Sequence, residues 1–316
     1  MIVVPPVAIV DGATLTACNI AEPDTTQGEA AWVAATNYAT DSIVVRTTTH
    51  RKYQRITPGG VDATLPENAP KLWQDIGPTN RAAIWDLYRN TQTVSNAAAN
   101  GVITATIVPG QRVDTIVVAG MDQVQSIAMN ATRVISGVVT QVWSWSAAGL
   151  GRKTSRWYEY FFNPFRYSKT AQPDPLPPYS DMTINMTFTG TAAAPAKVGA
   201  VVVGRAVLLG NTALGASNDG LNFSTVTRDT YGTAVLVPRR TVPKTTQNIL
   251  VPAAAVGNVL QARIDLNAVP AAWIGIEGAP GSAYYESLLI IGVYKRFELS
   301  HDEILFSKLQ LEIEEI

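Results

Sequence analysis

The residues most able to do chemistry are few and lie far apart. The chain has two histidines, His50 and His301, and one cysteine, Cys18. A histidine-based triad or metal site needs its members to converge in space, and these two histidines lie near opposite ends of 316 residues. A single cysteine excludes an internal disulfide and any zinc site built from several cysteines. The sequence therefore nominates no metal ligand and no cofactor.

Carboxylates are the remaining candidates for catalysis. None of them forms a pair whose spacing demands a shared face, whereas a glycosidase needs two carboxylates about 5–10 Å apart. The sequence also lacks a G-x-S-x-G elbow, a Walker loop, a G-x-G-x-x-G turn after a strand and an H-E-x-x-H helix. We therefore expect no enzymatic activity and name no catalytic residue, which leaves a glycan-cleaving enzyme as the least favoured hypothesis. The acids considered are Asp75, Asp86, Asp229, Asp265 and Glu286.

Four aromatic residues fall within one stretch of under 50 residues. Trp32, Tyr38, Tyr53 and Trp73 offer flat apolar faces of the kind that stacks on sugar rings. In so small a unit the same rings could instead form the core. Both alternatives stay open, and the candidate glycan-binding residues are Trp32, Tyr53 and Trp73.

Composition restricts the possible partners. The net charge is −1, from 24 basic and 25 acidic residues. The sequence therefore predicts no positive electrostatic field that would attract nucleic acid or an anionic membrane. Charged residues make up only 16% of the chain, which favours either a surface covered by other subunits or one rich in threonine and asparagine. No apolar run reaches membrane-spanning length, so we expect no membrane insertion. The opening MIVVPPVAIV lacks the basic start of a signal peptide, and we expect synthesis in the cytoplasm.

The pattern of short β-branched runs separated by turns predicts a mainly β protein. Residues 1–30 form an N-terminal arm or strand pair, and residues 31–78 form a small β module with strands at SIVVRT and RKYQRI. Residues 79–210 form a jelly-roll β-sandwich, in which RWYEYFF is one of the predicted strands. A small α+β domain over 211–316 follows, with two strands meeting at Tyr231-Gly232 and one helix in PAAAVGNVLQARIDLNAVP.

The small module resembles the chitin-binding type 3 modules. Their order W…Y…GD-x-V…Y…P…W is followed by Trp32, Tyr38, Asp41, Val44 or Val45, Tyr53, Pro66 or Pro70, and Trp73, with Thr40 in place of the glycine. This resemblance implies a small carbohydrate-binding-like β fold. The sandwich segment is in turn similar to the discoidin, or galactose-binding, β-sandwich.

A wider resemblance covers most of the chain. The order of LWQDIGPTNRAAIWD, QRVDTIVVAGMDQVQSIAMNA, VGAVVVGRAVLLGNT, FSTVTRDTYGTAVLVPRR and LIIGVYKRFELS is similar to that in a group of tailed-bacteriophage virion proteins of the tail or baseplate. It implies a structural subunit located in the virion tail, with itself and other tail subunits as partners and a role in host attachment. Residues 1–30 and 163–181 are the expected contact arms. The alternative is a receptor-binding module that recognises bacterial surface polysaccharide.

Overall fold

The computed structural model describes residues 1–148, 150, 157–162, 168–276, 283–301 and 305–316. Contacts between residues divide the chain into two compact units, which we call the N-terminal unit (7–201) and the C-terminal unit (1–6 with 202–316). This division does not follow the four predicted segments, because the first six residues pair with strands that come 200 residues later.

The fold is mainly β, as predicted. The strands are β1 Ile2–Val4, β2 Leu15–Cys18, β3 Thr36–Asn37, β4 Ile43–Arg46, β5 Arg51–Arg55, β6 Val61–Asp62, β7 Trp73–Pro78, β8 Thr93–Val94, β9 Val102–Ile107, β10 Thr115–Ala119, β11 Ser126–Ile135, β12 Val138–Ala148, β13 Thr170–Ala171, β14 Thr183–Thr189, β15 Lys197–Val198, β16 Ala200–Gly204, β17 Val207–Leu208, β18 Asn211–Thr212, β19 Ser217–Asn222, β20 Thr225–Arg228, β21 Ala234–Val237, β22 Thr241–Pro252, β23 Ala271–Ile274, β24 Leu289–Ser300 and β25 Phe306–Glu315.

Helices are short. The α-helices are α1 Trp157–Phe162, α2 Val256–Asp265 and α3 Ala283–Leu288, and single 3-10 turns occur at Thr25–Gln27, Pro66–Asn68, Ala83–Trp85, Ala97–Ala99 and Ala253–Ala255. Within the described ranges, no helix is long and apolar enough to cross a membrane. Helix α2 confirms the predicted helix, whereas the predicted strand at RWYEYFF is wrong, because its described residues form α1.

The N-terminal unit contains a five-stranded sheet and a three-stranded sheet in a β-sandwich-like arrangement. One has the order β12-β11-β14-β9-β2, and in the other β10 lies between β13 and β16. Alternate residues of β9 and β14 are buried, including Ile103, Ile107 and Phe188. This period of two is what a sheet with one covered face requires.

A separate three-stranded sheet, β4-β5-β7, forms the centre of the predicted small module. Both predicted strands are confirmed, since SIVVRT contains β4 and RKYQRI contains β5. The turn between them places His50 at a positive φ of 55°, a backbone conformation that few non-glycine residues adopt.

The C-terminal unit is built on an eight-stranded antiparallel sheet. Its strand order is β17-β1-β23-β24-β25-β22-β18, and β19 also pairs with β22. Helix α2 packs Val259 and Ala262 into a core with Trp273, Leu311 and their neighbours. The hairpin of β20 and β21, predicted around Tyr231-Gly232, is confirmed and forms a two-stranded sheet of its own.

Candidate functional site

The three predicted glycan-binding residues lie close together in the small module, but their rings are mostly covered. Trp73 is 2% exposed and Tyr53 is 7% exposed, and both belong to the module's core cluster with Val44 and Ala69. Trp32 is partly buried and packs against this cluster. Of the three, only Trp32 therefore keeps a partly open face.

Ring contacts explain this burial. Tyr38 packs edge-on against Trp73, with ring centroids 5.3 Å apart. The guanidinium of Arg55 lies 5.2 Å from the centroid of Trp73, and that of Arg46 lies 5.2 Å from the centroid of Trp32. Cation–π contacts of this kind stabilise a ring while covering one of its faces. In this arrangement the aromatic rings chiefly hold the module together.

A second group of residues brings together functional side chains that are distant in sequence. Asp11, Glu22 and His50 each offer one donor atom, and these atoms all lie within 4.8 Å of one another. We call this group the Asp-Glu-His cluster. The three residues come from three separate loops: the turn before β2, the loop after β2, and the turn between β4 and β5.

The cluster is tied together by short hydrogen bonds. His50 Nδ1 lies 2.7 Å from Glu22 Oε2, and the Thr79 hydroxyl donates to Glu22 Oε1 at 2.6 Å. Arg81 donates to both oxygens of Asp11, from Nε at 2.7 Å and from the terminal nitrogen at 2.8 Å. The hydrogen bonds from Arg81 lower the pKa of Asp11, although partial burial opposes them. Asp11 and Glu22 are thus held as oriented carboxylates.

A buried polar network fixes the loop that carries Glu22. Asp24, Glu29 and Asn80 are at most 5% exposed. Asn80 donates its backbone N–H to Glu29 and its side-chain amide to Asp24, both at 2.7 Å, and the Asp24 backbone N–H donates to Glu29 at 2.8 Å. Buried carboxylates with several donors are well satisfied. This network gives the loop from Glu22 to Glu29 a defined path.

A cleft of about 240 Å³ opens beside the cluster. Its wall includes Asp11, His50 and Arg81 of the cluster region, together with Trp85. Nearby, Arg51 joins two of the acids considered from the sequence, contacting Asp75 at 2.9 Å and Asp86 at 2.7 Å. Those two acids are therefore ion-paired through one arginine. The cleft is lined by Ile9, Val10, Asp11, Leu15, Thr49, His50, Arg51, Pro78, Arg81, Ala82, Trp85 and Asp86.

Three elements carry several exposed apolar side chains each, in addition to others scattered along the chain. Every residue of β20 and β21 is exposed, including Val226 at 60% and Leu236 at 68%. On α1, Trp157, Tyr158, Phe161 and Phe162 are each at least 66% exposed. At the β11–β12 turn the exposed apolar residues are Val134, Ile135, Val138 and Val139. Exposed apolar side chains clustered on one element are typical of interaction sites.

The sequence did not indicate the Asp-Glu-His cluster. Of its three residues, only His50 is among the residues considered for a metal site from the sequence, and the other histidine, His301, lies far from it in the chain. Residues that meet through loop packing carry no spacing pattern, so no motif could have revealed them.

Comparisons with protein-family models, with curated proteins and with solved structures found no match to this chain.

Proposed function

We propose that the chain is a structural subunit of a tailed-bacteriophage virion, in the distal tail, tail tip or baseplate, and that it assembles as a symmetric ring. The proposed assembly into a ring rests on one observation, the exposed apolar hairpin of β20 and β21. The virion part rests on the order of sequence blocks that resembles tail and baseplate proteins.

The hairpin has apolar side chains on both of its faces. Val226 and Leu236 are directly opposite each other on one face, whereas Val235 and Val237 project from the other. A two-stranded hairpin is only marginally stable in water unless it packs against something. Burying these side chains against a neighbouring subunit would stabilise the hairpin and remove apolar surface from water.

The aromatic helix α1 supports the same proposal. Its rings contact each other in pairs one turn apart: Trp157 stacks on Phe161, and Tyr158 lies tilted against Phe162. Aromatic residues are enriched at the centres of protein interfaces. The low charge content, 16%, fits a subunit whose surface is shared among neighbours, and most homo-oligomers are closed and symmetric.

Sedimentation velocity on the purified full chain tests the assembly. We expect concentration-dependent oligomers that are weakened by more than about tenfold in the double variant Val226→Lys, Leu236→Glu, because buried hot-spot residues dominate interface energy. The introduced charges are opposite across the strands and should preserve the hairpin. Leu214→Lys is the matched control, since Leu214 is fully exposed (100%) outside the hairpin.

A chain that stays monomeric at high concentration, or a double variant that assembles as wild type does, would count against the ring. Cryo-EM of virions is an independent test, because it would locate the chain directly. We expect a fixed symmetric position with contacts from the arm 163–181, of which residues 163–167 lie outside the described part. The other predicted arm, residues 1–30, does not extend freely, because β1 and β2 are paired within sheets of this chain. A loosely tethered single copy would contradict the structural role.

Recognition of bacterial surface polysaccharide is the second candidate, and Trp32 is the ring that favours it because it is only partly buried. Purified chain should then bind host polysaccharide, and Trp32→Ala should weaken the binding. Because Trp32 also packs against the module's core cluster, circular dichroism at the assay temperature must show that the variant is still folded. Unchanged binding by this variant would remove Trp32 from a glycan site.

A further inference from the structure

We propose that the Asp-Glu-His cluster is a divalent transition-metal site that binds Zn²⁺ through Asp11, Glu22 and His50. The proposal does not depend on the virion role, because it rests on a different part of the chain and on different observations.

The donor set suits zinc. Zn²⁺ binds imidazole nitrogen and carboxylate oxygen at about 2.0–2.2 Å, and sites with three protein ligands leave a position for water. Imidazole together with carboxylates favours zinc over calcium and magnesium, which prefer oxygen ligands alone. The three ligand atoms already lie within 4.8 Å of one another, which is near the spacing of about 3.4 Å between the ligands of a tetrahedral zinc ion. Binding would replace the direct hydrogen bond between His50 and Glu22 with bonds from both residues to the metal.

The local charge also favours a cation. Asp11 and Glu22 contribute two carboxylates. The guanidinium of Arg81 forms an ion pair with one of them, Asp11. The pair of carboxylates therefore keeps a surplus of negative charge after Arg81 is counted. Each carboxylate oxygen has two acceptor sites, so the hydrogen bonds from Arg81 and Thr79 leave further lone pairs for a metal.

The surrounding contacts resemble an outer shell of a metal site. Ligating carboxylates are usually held by further hydrogen bonds, and these partners tune affinity by about 10–100-fold. Thr79 orients Glu22, whose side chain is 6% exposed, and Arg81 orients Asp11. Asp11 and His50 line the cleft, which provides an entry path for the ion.

Isothermal titration of metal-stripped full-length chain with Zn²⁺ tests the site. We expect one Zn²⁺ per chain and no comparable binding of Ca²⁺ or Mg²⁺. Affinity should fall by more than about tenfold in His50→Asn, since loss of a direct ligand should exceed the effect of losing an outer-shell partner. Asparagine is chosen because it tolerates the positive φ at this position.

Two further variants keep the test decisive. Glu22→Gln should also weaken binding by more than about tenfold, and it retains an oxygen that can accept from Thr79. His301→Asn removes the other histidine and should bind Zn²⁺ as wild type does. Binding that is absent in wild type, unchanged in both cluster variants, or lost equally in His301→Asn would overturn the proposal. Thermal unfolding of each metal-free variant checks that the fold is retained.

Discussion

Single residues in the small module show how burial decides between two roles of an aromatic ring. Trp73 is almost fully buried, and its indole N–H is enclosed without a hydrogen-bond acceptor among the residues that the structure describes. Its contribution is therefore mainly ring packing against Tyr38 and Arg55. The same residue type at Trp157 is 81% exposed and contributes little to a core.

Replacing Trp73 should reveal that difference. Trp73→Ala should lower the free energy of unfolding by about 3–5 kcal/mol, because a large buried ring leaves a cavity. Trp73→Phe should cost clearly less, since it keeps a ring and removes the unpaired donor. Urea unfolding followed by circular dichroism measures both. Trp157→Ala is the control, expected within about 0.5 kcal/mol of wild type, and equal losses in Trp73→Ala and Trp157→Ala would contradict this account.

Glu315 should make the stability of the C-terminal unit depend on pH. Burial raises the pKa of its carboxyl above the ordinary 4.5, and the ion pair with Arg240 only partly opposes this. A folded pKa above the unfolded one means that stability falls as pH rises from about 4.5 through the folded pKa. Glu315→Gln lacks this titration, so its stability relative to wild type should increase between pH 4 and pH 7.

Urea unfolding at several pH values measures the change. Glu298→Gln is the comparison, because the Glu298 side chain is 55% exposed. A Glu315→Gln variant whose stability relative to wild type is the same at pH 4 and pH 7 would refute the effect of burial on this carboxyl.

At the scale of elements, local pattern predicts some segments and fails at others. Helix α2 follows Pro252 and has apolar residues spaced for one buried face, whereas β4 is a β-branched run and β5 is a mostly polar segment with Tyr53 at its centre, on the other side of a polar turn. These signals are local, and the elements they predict are confirmed. The segment RWYEYFF has strong strand propensity, yet its described residues form α1, where aromatic pairs four residues apart favour a helix.

The turn into β9 depends on a close backbone approach. Gly101 has φ of 72°, and a Cβ there would lie against the carbonyl oxygen of Thr191. Gly110 has φ of 69° with nothing near a Cβ. The two glycines therefore share a backbone conformation but differ in available space.

Alanine at these two positions separates strain from crowding. Gly110→Ala should cost about 1–2 kcal/mol from the left-handed backbone alone. Gly101→Ala should cost at least about 1 kcal/mol more, because the β9 turn or Thr191 must move. Denaturant midpoints of the two variants give the comparison, and similar losses would show that the Thr191 contact adjusts freely.

At the scale of the whole molecule, the sequence pattern does not predict which distant strands pair with each other. Strand β1 lies between β17 and β23, pairing Val3 with Val207 and with Trp273. Nothing in IVV specifies a partner 200 residues away, because strand pattern gives a buried face but not a neighbour. The Asp-Glu-His cluster escaped prediction for the same reason, since its three loops meet only in the folded chain.

This pairing predicts where a substitution near the start of the chain will act. Val3 is fully buried (0% exposed) in the core of the C-terminal unit, so Val3→Asp would bury an unpaired charge there. Hydrogen exchange should speed up in β17, β23 and β24, far away in sequence, while the amides of β9 and β14 keep their wild-type rates. Val10→Asp is the matched control because Val10 is 52% exposed, and it should leave β23 unchanged. Faster exchange in β9 and β14 as well would mean that the two units unfold as one cooperative body. Faster exchange confined to the C-terminal unit would make β1 an essential part of a sheet that is otherwise formed entirely by residues 202–316.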